Sequence, residues 1–294
     1  SLVKALVAAS ERNDEPYIRL LYDTVVRIVL SSRTWTERIF PSLPERSRKD
    51  ILSALLLIRS RHDLTSAGVA LVSLPIGAAD MSHLLKSDHA TDTLGLICLI
   101  DAIRNRACQI VTEGGGFDLS SLIFERLSIL STDSLAESGY DYARVSILQA
   151  LIALHEEMIS QNIPLPKAKG SSFSNRKKSA RKRFQSDVGI GVPTEMLASH
   201  ASLLVSLLGG QDAVRPVLSS RGKALVLNLL TILCSQAPGS VVGSLIPALA
   251  QVLGPRSSNG HHTATVVDRK AMDALGAIVP AYCDHASSSG LSFE

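Results

Sequence analysis

Apolar residues recur at helical spacing along almost the whole chain. From Tyr17 onward, Ile18, Leu21, Tyr22, Val25, Val26 and Val29 fall at i, i+3, i+4, i+7, i+8 and i+11, the stripe of a helix with one buried face. Arg48 to Arg61 sets Ile51, Leu52, Leu55, Leu56 and Ile58 on one broad face, so a helix is predicted there, with Arg48, Lys49 and Arg61 at its ends. Helices are further predicted over Leu64–Leu74, Ala78–Ser87, Asp92–Thr112 and Leu119–Leu130. Pro75, Gly77 and the run Gly114-Gly115-Gly116 punctuate them, and Asp118 is placed as the N-cap of the last. Tyr140–Gln161 is the most regular stretch. Val145, Leu148, Leu151, Ile152 and Met158 form its apolar stripe, with Arg144, Gln149, Glu156 and Glu157 assigned to the polar side.

Beyond residue 192 helices are predicted from Pro193, a favourable N1 proline, to Leu208, then over Asp212–Leu218, Lys223–Ser235, Ser240–Leu253 and Val266–Val279. Ser219-Ser220-Arg221 reads as an N-cap, and Gly254–Gly260 as a loop. The total is about eleven to thirteen helices of ordinary length. No strand pair around an Asn-Gly or Asp-Gly turn interrupts them. The predicted class is all-α.

Consecutive helix pairs can close into a bundle or stack into a solenoid, and an internal repeat favours stacking. Ser244-Leu245-Ile246-Pro247-Ala248-Leu249 with Val252-Leu253 has the character of the first helix of a HEAT repeat, kinked at its proline. Val266-Val267-Asp268-Arg269 with Ala271, Ala274-Leu275-Gly276 and Ile278 has that of the second. Asp141, Arg144, Ile147, Leu148, Ala150 and Leu151 repeat the second pattern, as do Arg221, Ala224, Leu225, Leu229 and Leu230. The expected architecture is an α-solenoid of HEAT-like helical hairpins. Residues 1–162 would form one helical segment, 163–192 a basic flexible linker, and 193–294 a continuation of the same solenoid.

Composition sharpens this picture. The 294 residues are 46% hydrophobic but only 4% aromatic, an aliphatic excess that suits helix better than strand. Mean hydropathy is +0.21. No charge occurs between Lys223 and Arg256, yet Asn228, Ser235, Gln236, Pro238, Ser244 and Gln251 break that run, which argues against a membrane span. Cys98, Cys108, Cys234 and Cys283 sit singly in aliphatic stretches without CxxC spacing, the usage of a reducing compartment, each thiol expected to act as a small buried hydrophobe. The chain opens on Ser1 with no secretory signal, and a fragment of a longer protein is expected.

Charge is local. Lys and Arg total 30 against 27 Asp and Glu. Six of the thirty, Arg176, Lys177, Lys178, Arg181, Lys182 and Arg183, fall within Asn175–Phe184, leaving 24 basic against 27 acidic residues elsewhere, a net of −3. Flanked by Phe173 and Phe184, this window has three readings: contact with RNA phosphates, a nuclear-import signal, or a solvated loop.

Reaction chemistry is thin. GxSxG, GxxxxGK[ST], HExxH and GxGxxG are all absent. Gly114–Gly116 and Gly209-Gly210 read as helix ends rather than phosphate cradles. His261, His262, Cys283 and His285 lack the tight paired spacing of a zinc site, and the histidines read as solvated loop residues. Glu156-Glu157 and Asp133 read as solvated carboxylates. Neither an enzyme, a cofactor, a metal nor a small-molecule substrate is expected.

The stretch Ala237-Pro238-Gly239-Ser240-Val241-Val242, Leu245-Ile246-Pro247-Ala248-Leu249 and Val252-Leu253-Gly254, followed by Thr265-Val266-Val267-Asp268 and Ile278-Val279-Pro280-Ala281, carries a family resemblance. It resembles the large HEAT-repeat proteins of the small-subunit processome, the U3 small nucleolar RNA-associated protein 10 family (HEAT repeat-containing protein 1 in animals). The resemblance runs from Ala143 to Cys283 and includes the basic linker. The chain departs from the family at Ala250-Gln251-Val252-Leu253, where aromatic residues are expected, and at Ser257, Ser258, Asn259, His261 and His262, where acids are expected. The resemblance implies a non-catalytic scaffold in ribosome assembly, nuclear and nucleolar, binding other proteins of a large assembly and RNA through the basic loop. The alternatives are a cytoplasmic or nuclear adaptor of transport or vesicle trafficking and, from another class, an all-α enzyme.

Overall fold

A computed structural model describes residue 5 and residues 15–58, 61–86, 93–132, 138–161, 194–208, 218–236 and 269–276. The helices are α1 Glu15–Leu30, α2 Glu45–Leu55, α3 Arg61–Ser73, α4 Ala78–Lys86, α5 Thr93–Asn105, α6 Ala107–Thr112, α7 Gly116–Thr132, α8 Ser138–Ser160, α9 Thr194–Leu208 and α10 Ser220–Gln236. A π-helical turn, Trp35–Ile39, runs into the short Phe40–Ser42 segment between α1 and α2. Residues 269–276 are also helical. Among the described residues there is no strand, and no helix is long and apolar enough to cross a membrane. The class is all-α.

The chain divides into two compact units, 1–161 with 215–225, and 162–214 with 226–294. In the first, α1, α3, α5 and α8 lie side by side in one layer, and α2, α4 and α7 in a second. The helices of the two layers pack against a chain neighbour and against the next helix of their own layer, the short α6 intervening in sequence between α5 and α7. That is the contact pattern of helical hairpins stacked as a solenoid, in which an amphipathic pair buries its stripe only against the next pair. Helix α5, flanked by α3 and α8 and facing α4, is buried nearly all round, with Leu96, Ile97, Cys98, Leu99, Ile100, Ala102 and Ile103 in the core. Truncating one such residue, Leu99→Ala for example, removes about 2–5 kcal/mol of stability.

The α1 stripe is buried throughout: Ile18, Leu21, Tyr22, Val25, Val26 and Val29 all face the core. Three expectations are corrected. The helix predicted to Arg61 stops at Leu55; Leu56 is its C-cap, and Ile58 reaches the core from the following turn. Continued helix would carry Leu55, Leu56 and Ile58 around the axis, whereas the turn lets all three be buried. The helix predicted over Asp92–Thr112 breaks at Arg106, which takes φ −115° and ψ 14°. Asp118 lies inside the first turn of α7 rather than at its N-cap, because helical bonding already begins with Leu119 N–H donating to Gly115 O.

In the second unit, α9 buries Ala201, Leu204, Leu207 and Leu208. The part of α10 from residue 226 buries Val226, Leu227, Leu229, Leu230 and Leu233, and residues 269–276 bury Ala271 and Ala274. The predicted helices Asp212–Leu218 and Ser240–Leu253 fall almost wholly outside the described residues, as does the loop at 254–260.

Candidate functional site

The predicted basic site, Arg176, Lys177, Lys178, Arg181, Lys182 and Arg183, lies outside the described residues, as do His261, His262, Cys283, His285, Asp133 and Gly209-Gly210. Most of the stretch carrying the family resemblance does so too. Glu156 is exposed and Glu157 half-buried in the last turns of α8. Among the described residues no cluster of three or more His, Cys, Asp or Glu could hold a metal ion.

The best-built polar constellation lies where the turns between hairpins stack. Helix α6 ends in a Schellman motif: Gly114 N–H donates to Val111 O at 3.0 Å, Gly115 N–H to Ile110 O at 3.0 Å, and Gly114 takes φ +81°. The glycine run is therefore a helix terminator, as its composition indicates. A Cβ on Gly115 would lie 2.2 Å from Ala78 Cβ, so this turn sits directly on the N-terminus of α4.

Two charged side chains tie that turn to the one between α3 and α4. Arg106 Nη1 donates to Ile76 O at 2.9 Å, and Nη2 donates to Val72 O and Leu74 O. Glu113 Oε2 accepts from Ala78 N–H at 3.0 Å, and its Oε1 accepts from Gln109 Nε2 at 2.8 Å. A cation thus meets the carbonyl end of α3 and an anion the amide end of α4, each the favourable sign for the helix dipole. Burial lowers the Arg106 pKa, and the nearby Glu113 carboxylate opposes that shift. The end of α8 joins the same ridge, where Gln161 Nε2 donates to Thr112 Oγ1 at 3.3 Å.

Two more arginines serve helix ends. Arg126 donates through Nε to Leu85 O at 2.9 Å and again through Nη2, completing the C-terminus of α4. Arg144 donates through Nε to Leu130 O at 3.2 Å and again through Nη2, completing α7. Arg144 is only 5% exposed, which corrects its assignment to the polar side of α8. Spacing contained the signal: Arg144, Leu148, Leu151, His155 and Met158 follow i, i+4, i+7, i+11 and i+14, and all are buried. The repeat parallels drawn to Arg221 and Arg269 do not extend to this role, since both of those side chains are exposed.

No sequence motif singles out His155 and Ser120. Ser120 Oγ lies 2.9 Å from His155 Nε2 across the α7–α8 contact, both residues buried. Burial at 3% and 2% exposure gives a substrate no access, so the pair joins two helices rather than forming a nucleophile and base. Between α5 and α8, Arg104 Nη1 donates to Gln149 Oε1 at 2.6 Å, and Nη2 lies 3.5 Å from Asp101 Oδ1. Burial raises the Asp101 pKa against the pull of Arg104. The Cys98 thiol is pushed up to about 12, by burial first and by Asp101 second. Cys108, in contrast, is exposed, which corrects the expectation that each thiol is buried.

No family model matches the chain, and no curated protein matches it. Solved structures similar to it include an engineered protein at 17% identity, covering 95% of this chain and 96% of that one, with a TM-score of 0.41. A computationally designed armadillo repeat protein for modular peptide recognition is 16% identical over 94% of this chain and 98% of its own, with a TM-score of 0.41. A designed armadillo repeat protein in complex with the peptide (KR)4 is 14% identical at the same coverage and TM-score. The fold assignment rests on the two-layer packing described above rather than on these likenesses.

Proposed function

We propose that this chain is a non-catalytic helical-repeat scaffold of ribosome biogenesis, acting in the small-subunit processome of the nucleolus as part of a longer HEAT-type solenoid. The observation that carries the scaffold reading is where the charged groups of the first unit go. Arg106, Arg126, Arg144 and Glu113 complete helix ends, and the buried Ser120–His155 pair joins two helices, which is the economy of a rigid support. The processome assignment draws on the residue pattern after Ala237 and on the cationic window Asn175–Phe184. In this reading the stacked helices present surfaces to partner proteins, and the cationic window contacts RNA phosphates or directs nuclear import.

Affinity purification of the full-length protein, followed by mass spectrometry and RNA sequencing, tests the assignment. Recovery of processome proteins with U3 RNA is expected; recovery of transport-receptor cargo or vesicle-coat proteins instead would overturn it. The RNA role has its own test. Neutralising Arg176, Lys177, Lys178, Arg181, Lys182 and Arg183 should weaken single-stranded RNA binding and flatten its salt dependence by roughly 0.7 log units per lost phosphate contact. Equal affinity at low salt would remove the RNA contact and leave import as the role of the window.

A further inference from the structure

Successive hairpins in a solenoid touch mainly through apolar stripes, which slide easily; a fixed angle between them needs directional bonds. The turn between α3 and α4 has them from outside its own hairpin. Arg106 reaches three of its carbonyls, those of Val72, Leu74 and Ile76, across 30 to 34 residues of sequence. Glu113 holds the first amide of α4, and Gln109 holds Glu113. The connection between α1 and α2 is built differently. Its bonds, Ser31 to Ile28, Trp35 to Ser32, Thr36 to Arg33 and Arg33 to Glu37, are all local. Among the described residues no distant side chain clamps residues 31–44.

We propose that Arg106 and Glu113 form a latch that locks the angle between the α2–α3 hairpin and the α4–α5 hairpin. Its two charges grip opposite helix ends of one turn, so relative rotation of the hairpins breaks several bonds together. The close approach of Gly115 to Ala78 supplies the fulcrum: the Ala78 methyl stands where a side chain on residue 115 would begin. This inference is independent of the ribosome-assembly reading.

Hydrogen exchange on the full chain tests it, with Glu113→Ala and Arg106→Lys compared with the parent. Amides of residues 77–81 should exchange about five-fold faster or more in Glu113→Ala, the order of a lost helix cap, while those of α5 and α8 stay unchanged. In parallel, genetically encoded spin labels at the exposed positions Arg46 of α2 and Lys86 of α4 should give a broader distance distribution in both variants. Uniform acceleration across residues 15–161 would reduce the pair to general stabilisation and overturn the latch. An unchanged distance distribution would overturn it as well. If Glu113→Ala fails to fold, Glu113→Gln keeps the volume but loses the charge and one of the two acceptor oxygens, and a smaller acceleration confined to residues 77–81 is required of it.

Discussion

Gly115→Ala is the most direct probe of how the hairpins meet. The added methyl would stand 2.2 Å from Ala78 Cβ, against an ordinary carbon contact of about 3.5–4.0 Å. Neither atom can rotate away, since a Cβ position is set by its backbone. The turn at residues 113–115 must therefore lift off α4. Overpacking of this kind costs about 1–3 kcal/mol, and losing the Glu113–Ala78 bond adds about 1 kcal/mol. A loss of about 3 kcal/mol lowers Tm by roughly 6–12 °C in a unit of this size. Trp35, the single tryptophan, lies in the same unit, so its fluorescence in urea follows the unfolding that matters. Ala78→Gly removes the opposing methyl, after which the nearest remaining atoms, the Cα of residue 78 and Ile110 O, are 3.6 Å away. The double variant should recover most of the loss, less about 0.5–1 kcal/mol for glycine in a helix. A neutral Gly115→Ala, or a double variant no better than the sum of the single ones, would refute the reasoning.

Gly68, inside α3, has open space where an alanine methyl would stand, with nothing within 4 Å, so Gly68→Ala should raise stability by about 0.5–1 kcal/mol in the same urea assay. Arg144→Met keeps most of the buried volume but strands Leu130 O, and a loss of about 1–3 kcal/mol is expected from its unfolding curve. The Cys98 thiol and the Tyr22 phenol, both raised chiefly by burial, keep their protons in the folded chain beyond the pH at which the unfolded chain releases them. Their contribution is complete below about pH 9 and is lost as pH rises from 9.0 towards 12, so the urea midpoint should fall across that window and fall less steeply in Cys98→Val. A midpoint flat from pH 8 to 11 would contradict the burial of both groups.

The element that periodicity reads best is α1, whose apolar positions serve one face, whereas α8 is buried without a break from Ala143 to Leu148, and the two-layer stack follows from many apolar helices joined by short turns. Breaks are harder. Nothing in Leu55-Leu56-Leu57 or Asn105-Arg106-Ala107 is a helix breaker, and the reasons for ending there are tertiary: Ile58 turns into the core, and Arg106 reaches carbonyls some thirty residues earlier. The same distance hides Glu113, whose partner is a main-chain amide with no side-chain signature. Arg144 and His155 are legible in principle, because their spacing sets both on the buried stripe of α8, but their polar type points the other way. Gly115 is recognisable as a terminator, while its proximity to Ala78 depends on how two turns stack.

The arginine caps also bear on where this chain can be cut. Leu85 O at the end of α4 is completed by Arg126 of α7, and the turn after α3 by Arg106, so in these two cases the groups that finish a helix end come from the part of the chain that follows the hairpin. A fragment ending after α5 would keep its apolar stripes but leave the carboxyl end of α4 without its cation. A cut between any two of these hairpins therefore strips helix ends of their partners, and a fragment that holds the whole first unit must also take in residues 215–225, where Ser219 N–H donates to Asp141 of α8.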